Sequence, residues 1–316
     1  LEFRRVLFRS GRPPDGHVRG GPVRFFREAV PAERLGLLRV LVGLFVVTAI
    51  LTRRTEVMGL LAGTGAHYQP VGVLRFFTPP SEAQIRTLQL VLPVLGLLWT
   101  AGLFWRVVGP LFGVAFLVWA SWRLSWGSVS HDLHVATLFV LVLSFSPATQ
   151  GLSLDARFRT PLAERPGPPW TQAWPVKLLA VLTAATYVLA GWSKVNTPAG
   201  FGWASGENLL SQVAYARLVA VVYQPDLPPD PVLTWVGSHP WILRFGATTA
   251  LFLELGAPLA LLGGRVRTAW AVGIVAMHQG IRMLMGIAFP FHSLGFVVLP
   301  LFPLERLLPA RFRPSP

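Results

Sequence analysis

Eight apolar runs separated by polar stretches leave this chain few ways to fold. The first, LGLLRVLVGLFVVTAIL at about 35–51, carries one arginine over the length a helix needs to cross a bilayer. The others lie at about 87–105, 107–122, 131–147, 176–193, 241–262, 268–285 and 287–304. In hydrocarbon each backbone N–H and C=O must be paired within the protein, so such runs read as helices. The expected fold is all-α, a polytopic integral membrane helical bundle of about eight transmembrane helices. Only 13% of the residues are charged, against about 25% in soluble domains. There is no cysteine, which excludes disulfides, thiolate metal sites and cysteine nucleophiles.

The net charge of +14 comes from arginines spread over the loops, which read as topology signals and lipid contacts rather than a nucleic-acid surface. With the N-terminus placed in the cytoplasm, the inner segments carry 18 Lys and Arg and the outer ones seven. That split predicts both termini inside. The domain reading is a basic N-terminal tail over 1–33, a membrane domain over 34–304 and a short basic tail over 305–316. LEFRRVLFRS, which opens without Met, is read as a joining scar, and the first apolar run as a retained helix rather than a cleaved signal. The segments 52–86 and 195–240 are less apolar. The first is expected to hold a short interfacial helix, the second one amphipathic helix near 206–222.

Against this background one lysine stands out. The chain has 26 arginines and two lysines, and Lys194 ends the fifth run. Arginine stays charged, whereas a desolvated lysine can release its proton, so only lysine can serve as a base there. The other reading is a snorkelling anchor at a helix end. The predicted topology puts further polar groups at the same outer level: His131 and His134 at the mouth of the fourth run, His278 and Arg282 four apart in the seventh, and His292 at the start of the eighth. Glu254 lies deeper in the sixth run. Ionisable residues inside a membrane are costly and usually face a cavity or a partner. Each also has a plainer reading. The two histidines can cap a helix, and Glu254 can pair structurally with Arg282. HDLH alone is a weak metal signal, and no metal is expected.

YVLAGWSK, from Tyr187 to Lys194, with Trp203 and Gly206 beyond, resembles the Tyr…Ala-Gly-x-x-Lys…Trp-x-x-Gly signature of the vitamin K-dependent gamma-carboxylases and their bacterial HTTM relatives. LFLELGAPLALLGGRVRTAWAVGIVAMHQGIRMLMGIAFPF resembles that family's acidic helix, basic turn and histidine-containing helix. SHDLHVATLFVLVLSFSPATQGLSLD resembles its histidine block, which ends here in Ser153 and Asp155. RLGLLRVLVG is similar to its opening helix. Together these cover about 34–304.

The resemblance implies catalytic roles for Lys194, as the base that deprotonates a reduced vitamin K or menaquinone-like quinol, and for His131 as its assistant. It implies substrate-binding roles for His134, Trp203, Glu254, His278 and Arg282. The implied partners are membrane lipid, a lipid quinone and an exported peptide, with no nucleic acid. The implied location is the cell membrane, multi-pass, with the site facing the extracytoplasmic side. Two features differ from the carboxylases: the Lys194-to-Trp203 interval is longer, and Ser193 stands where they carry a second lysine. The carboxylases also have a large extracytoplasmic domain after the membrane part, where this sequence has a short basic tail. Two readings therefore stand: a carboxylase-like, quinol-using membrane enzyme, or a non-enzymatic, maturation-assisting membrane protein that binds a lipid or an exported peptide.

Overall fold

The computed structural model describes residues 29–309, apart from 63–66, 128–129, 150, 159–169, 225, 227 and 229. Most of the N-terminal tail, the scar reading with it, and most of the C-terminal tail lie outside the described residues. The described part is helical, with no strand. Its α-helices are α1 (Ala32–Thr52), α2 (Arg54–Ala62), α3 (Glu82–Ala101), α4 (Trp105–Arg123), α5 (His134–Ser144) and α6 (Leu154–Phe158). They continue with α7 (Trp170–Val195), α8 (Glu207–Tyr223), α9 (Pro231–Gly237), α10 (Pro240–Leu255), α11 (Gly264–Met285) and α12 (Pro290–Ser293).

Four of these helices are long and apolar enough to cross a membrane: α1, α3, α4 and the stretch Ala173–Val195 of α7. The other apolar runs are built differently, for local reasons. The fourth run yields a helix of 11 residues that begins at His134, so His131 precedes it and the two histidines do not share a helix face. The sixth run is α10 followed by a 3-10 segment, Ala257–Leu262, because Pro258 cannot extend the α-helical ladder. α11 has 22 residues, but Arg265, Arg267, His278 and Arg282 dilute its hydropathy. The eighth run is broken into α12 and a 3-10 segment, Phe296–Leu301, with Gly295 at a φ of 78° between them.

The irregular eighth run is nonetheless core. Phe291 is fully buried, with its ring centroid 5.0 Å from Phe45 of α1 and 5.1 Å from Phe139 of α5. A second aromatic column, Trp99, Phe112, Phe116 and Trp119, joins α3 to α4 with successive centroids 5.4 to 5.8 Å apart. α1 packs on α3, α3 on α4, and α4 on α5. α7 lies between α5 on one side and α10 on the other. It thus links the two halves of the bundle and carries Lys194 between them.

Polar clamps fix both ends of the bundle. At one end the Asp155 carboxylate, in the first turn of α6, accepts from the backbone N–H groups of Phe104 (2.9 Å) and Trp105 (2.8 Å), capping α4. The fully buried Arg39 donates to the carbonyls of Ala148 (2.7 Å) and Leu152. Arg34 and Glu305 form a two-pronged ion pair at 2.7 and 2.8 Å, so the start of α1 and the last described turn meet. At the other end Asp132 accepts from Arg53 and Arg123, each at 2.7 Å, and from Ser130 at 3.0 Å. α3 starts there in a capping box: Ser81 Oγ accepts from Gln84 N, and Gln84 Oε1 accepts from Ser81 N at 2.8 Å.

Candidate active site

Lys194 reaches the end of α7 but is not a bare helix-end anchor. The chain after it folds back as a 3-10 segment, Gly200–Ser205, followed by α8 and α9. Glu254, the fifteenth residue of α10, lies about 21 Å along that helix from its start. The first turns of α10 therefore pack against the 3-10 segment and α8, above the level of Lys194. Together these elements roof the lysine.

Under the roof, Lys194 Nζ lies 2.5 Å from both carboxylate oxygens of Glu254. The Glu254 side chain is 7% exposed and that of Lys194 25%. The ammonium also sits 5.1 Å from the centroid of Trp203, within cation–π range. Helix geometry brings the pair together. Gly191, one turn before Lys194, faces Glu254, and a Cβ there would come within 3.0 Å of the Cβ of Glu254. A larger residue would push α10 away.

Gly206 seats the roof. Its φ is 87°, a conformation that costs other residues about 1–2 kcal/mol, and a Cβ would lie 2.6 Å from the backbone nitrogen of Arg244. Gly206→Ala should loosen the roof: the melting temperature falls, and limited proteolysis cuts faster within 196–239 than in the unchanged protein.

The pair opens onto a cavity of about 1060 Å³. Its walls are mostly apolar, including Leu209, Phe245, Ala250, Met277 and Phe289, and its other polar groups include Asn208 and Gln212. The volume accommodates a lipid-sized ligand, and the few polar groups would orient one.

The residues singled out in the sequence divide into three groups. Lys194, Trp203 and Glu254 converge on the cavity. The partner of Glu254 is Lys194, not Arg282; Arg282 is exposed and makes no ion pair among the described residues. His278 is buried next to the cavity rather than on its described lining. Its ring stacks on His292 with centroids 4.6 Å apart, and His278 Nδ1 bonds the carbonyl of Ile274 at 2.9 Å. His292 Nδ1 in turn meets the hydroxyl of Tyr187 at 2.7 Å. His131 and His134 are exposed at the mouth of α5, with rings 6.4 Å apart and outside that lining.

Two features escaped the sequence. Asp132, not the histidines beside it, organises the HDLH turn; the signal was an acid at a helix mouth with Arg53 and Arg123 at the same predicted level. The Tyr187–His292 bond joins residues 105 apart, and periodicity carries no trace of it.

A roofed, lipid-scale cavity with a lysine–carboxylate pair, set in a bundle with four membrane-length apolar helices, defines a polytopic membrane protein with an internal cavity. The chain belongs to the HTTM domain family, which it matches over residues 26–304. No curated protein and no solved structure matches it.

Proposed function

We propose that this protein is a membrane enzyme in which Lys194 removes a proton from a reduced lipid quinone. The observation that carries this reading is the Lys194–Glu254 pair within a largely apolar cavity of about 1060 Å³. The donor set suits such a ligand: one aromatic face, Trp203, one transferable proton and apolar walls for a lipid tail.

The chemistry of the chain's own groups follows from the pair. Desolvation penalises both charges, so a proton can move from Nζ to a carboxylate oxygen of Glu254, leaving a neutral amine and a neutral acid. The neutral Nζ then faces the cavity as a base. A reduced quinone bound there would supply the acidic hydroxyl and the oxidisable ring. The ammonium regenerated on Nζ is the countercharge to the oxyanion as it forms. Trp203 holds the amine in place.

The proposed topology has eight membrane passages with the site on the extracytoplasmic side of the cell membrane. The arginine distribution supports it, as does the Arg34–Glu305 ion pair, which suits an even number of passages. His131, His134 and Arg282 would then act at the mouth of the site, towards an exported peptide.

A second reading has its own observation. Both oxygens of Glu254 are engaged by Lys194, which also suits a strut tying α7 to α10 in a protein that binds a lipid or an exported peptide without chemistry. Purified membranes supplied with menaquinol, oxygen, labelled bicarbonate and a glutamate-containing peptide separate the readings. The expected result is conversion of the quinol to its epoxide. Label in the peptide would add carboxylation, and unchanged quinol would leave the binding reading.

A further inference from the structure

Three buried titratable residues beside the cavity have no part in the chemistry above. Tyr187 is 3% exposed, His278 6% and His292 6%. They come from three separate elements, α7, α11 and α12, and burying three such groups together is costly unless they satisfy one another. Tyr187 lies on the same face of α7 as Lys194, two turns away, or about 10 Å along the axis. Gly191 stands between them, where Glu254 packs.

The hydrogen bonds define what this trio can do. A carbonyl only accepts, so His278 Nδ1 carries the proton it gives to Ile274 O, and its Nε2 is left as an acceptor when the ring is neutral. The Tyr187 hydroxyl can donate to His292 Nδ1, which leaves the proton of that ring on Nε2. Two stacked imidazoles 4.6 Å apart would repel strongly if both were cations, so the pair holds at most one extra proton. The charged and titratable groups around it are Lys194 and Glu254 on the cavity side and His134 on α5, each close enough to interact electrostatically with a member of the trio.

We infer that Tyr187, His278 and His292 form a one-proton store coupled to the Lys194–Glu254 pair, receiving the proton that Lys194 takes from its substrate. This rests on the base reading of Lys194. The proton leaves the substrate hydroxyl for Nζ, its electron pair remains on the substrate oxygen, and the proton passes from the pair to an imidazole nitrogen. The three residues are positioning residues, because they act through Lys194.

The test uses the full chain in lipid nanodiscs with [¹⁵N]histidine, following the imidazole nitrogens by NMR from pH 5 to 9. His278 and His292 should take up one proton between them, and Lys194→Met should move that step by about one pH unit or more. Two independent titrations, or a step indifferent to Lys194→Met, would overturn the store. Tyr187→Phe, which keeps the ring and its packing, should redistribute the proton between the two nitrogens of His292. An unchanged spectrum would count against the relay. In the menaquinol assay, His292→Asn should lower turnover about tenfold and flatten its pH profile, while His292→Phe should not be better tolerated than His292→Asn. Active wild-type protein with an unchanged His292→Asn profile would sink the store alone. Wild-type protein that leaves menaquinol untouched would sink the base reading, and the NMR titration would still decide whether the trio is coupled to Lys194.

Discussion

Lys194→Arg should abolish quinol consumption as completely as Lys194→Ala, with a loss of about 10²–10⁴-fold, the usual worth of a positioned base. The prediction separates charge from proton transfer. Arginine keeps the positive charge, can pair with Glu254 through two N–H groups and can lie over Trp203. A strut or an anchor would therefore survive the change. A base would not, because guanidinium does not give up its proton near neutral pH. Lys194 ends a helix beside a cavity, so the arginine variant, which keeps the ion pair with Glu254, should melt close to the parent, while the alanine variant, which strands that carboxylate, should fold but melt lower. The measurement is turnover in membranes at matched expression.

The largest effect on stability should come from Asp132. Removing its carboxylate leaves the guanidinium groups of Arg53 and Arg123 facing each other, and the Arg123 side chain is only 5% exposed. Breaking a buried pair in this way costs about 3–5 kcal/mol, and the half-exposed Glu56 carboxylate, 3.7 Å from Arg123, is only a weak replacement partner. Asp132→Ala should lower the melting temperature in detergent by roughly 10 °C. It should also free the turn before α5, since α1, α4 and that turn meet at this one side chain.

The same carboxylate sets an acid limit. Burial pushes its pKa up, but the adjacent Arg123 and Arg53 more than offset this and hold it below the usual carboxylate range. Glu305 is depressed in the same way: burial opposes ionisation, and the hydrogen bonds from Arg34 outweigh it. Depressed carboxylates stabilise the fold above their unfolded pKa, and that contribution is lost as pH falls through their folded values. The contribution of these two carboxylates should therefore be flat near neutrality and decline only below the ordinary carboxylate range. Asp132→Asn should remove part of that decline.

Apolar periodicity located the helical runs because a bilayer-length stretch has little choice of backbone. The starts of α1, α4 and α10 fall within about three residues of the expected positions, and the predicted amphipathic helix at 206–222 is α8, Glu207–Tyr223. Irregularity was less legible. The eighth run has the composition of a span, but Pro290, Gly295 and Pro300 break it, and only its burial against Phe45 and Phe139 keeps it in the bundle. Lys194, Trp203 and Glu254 were found, two by their place in a motif and one as an acid in an apolar run. The partnership of Lys194 with Glu254 was not readable, because it depends on how deep α10 lies beside α7, which the roof determines. His131 and Arg282 were singled out in the sequence as well, yet the fold leaves both exposed.

Chemical rescue of Lys194→Ala tests the central claim most directly. The cavity has room for a small primary amine where the side chain has been removed. If Lys194 is the base, added methylamine should restore part of the quinol consumption, and the restored rate should climb with pH as more amine becomes neutral. Quinol consumption by Lys194→Ala at the wild-type rate without any amine, or an inactive variant that no amine revives at any pH, would contradict it.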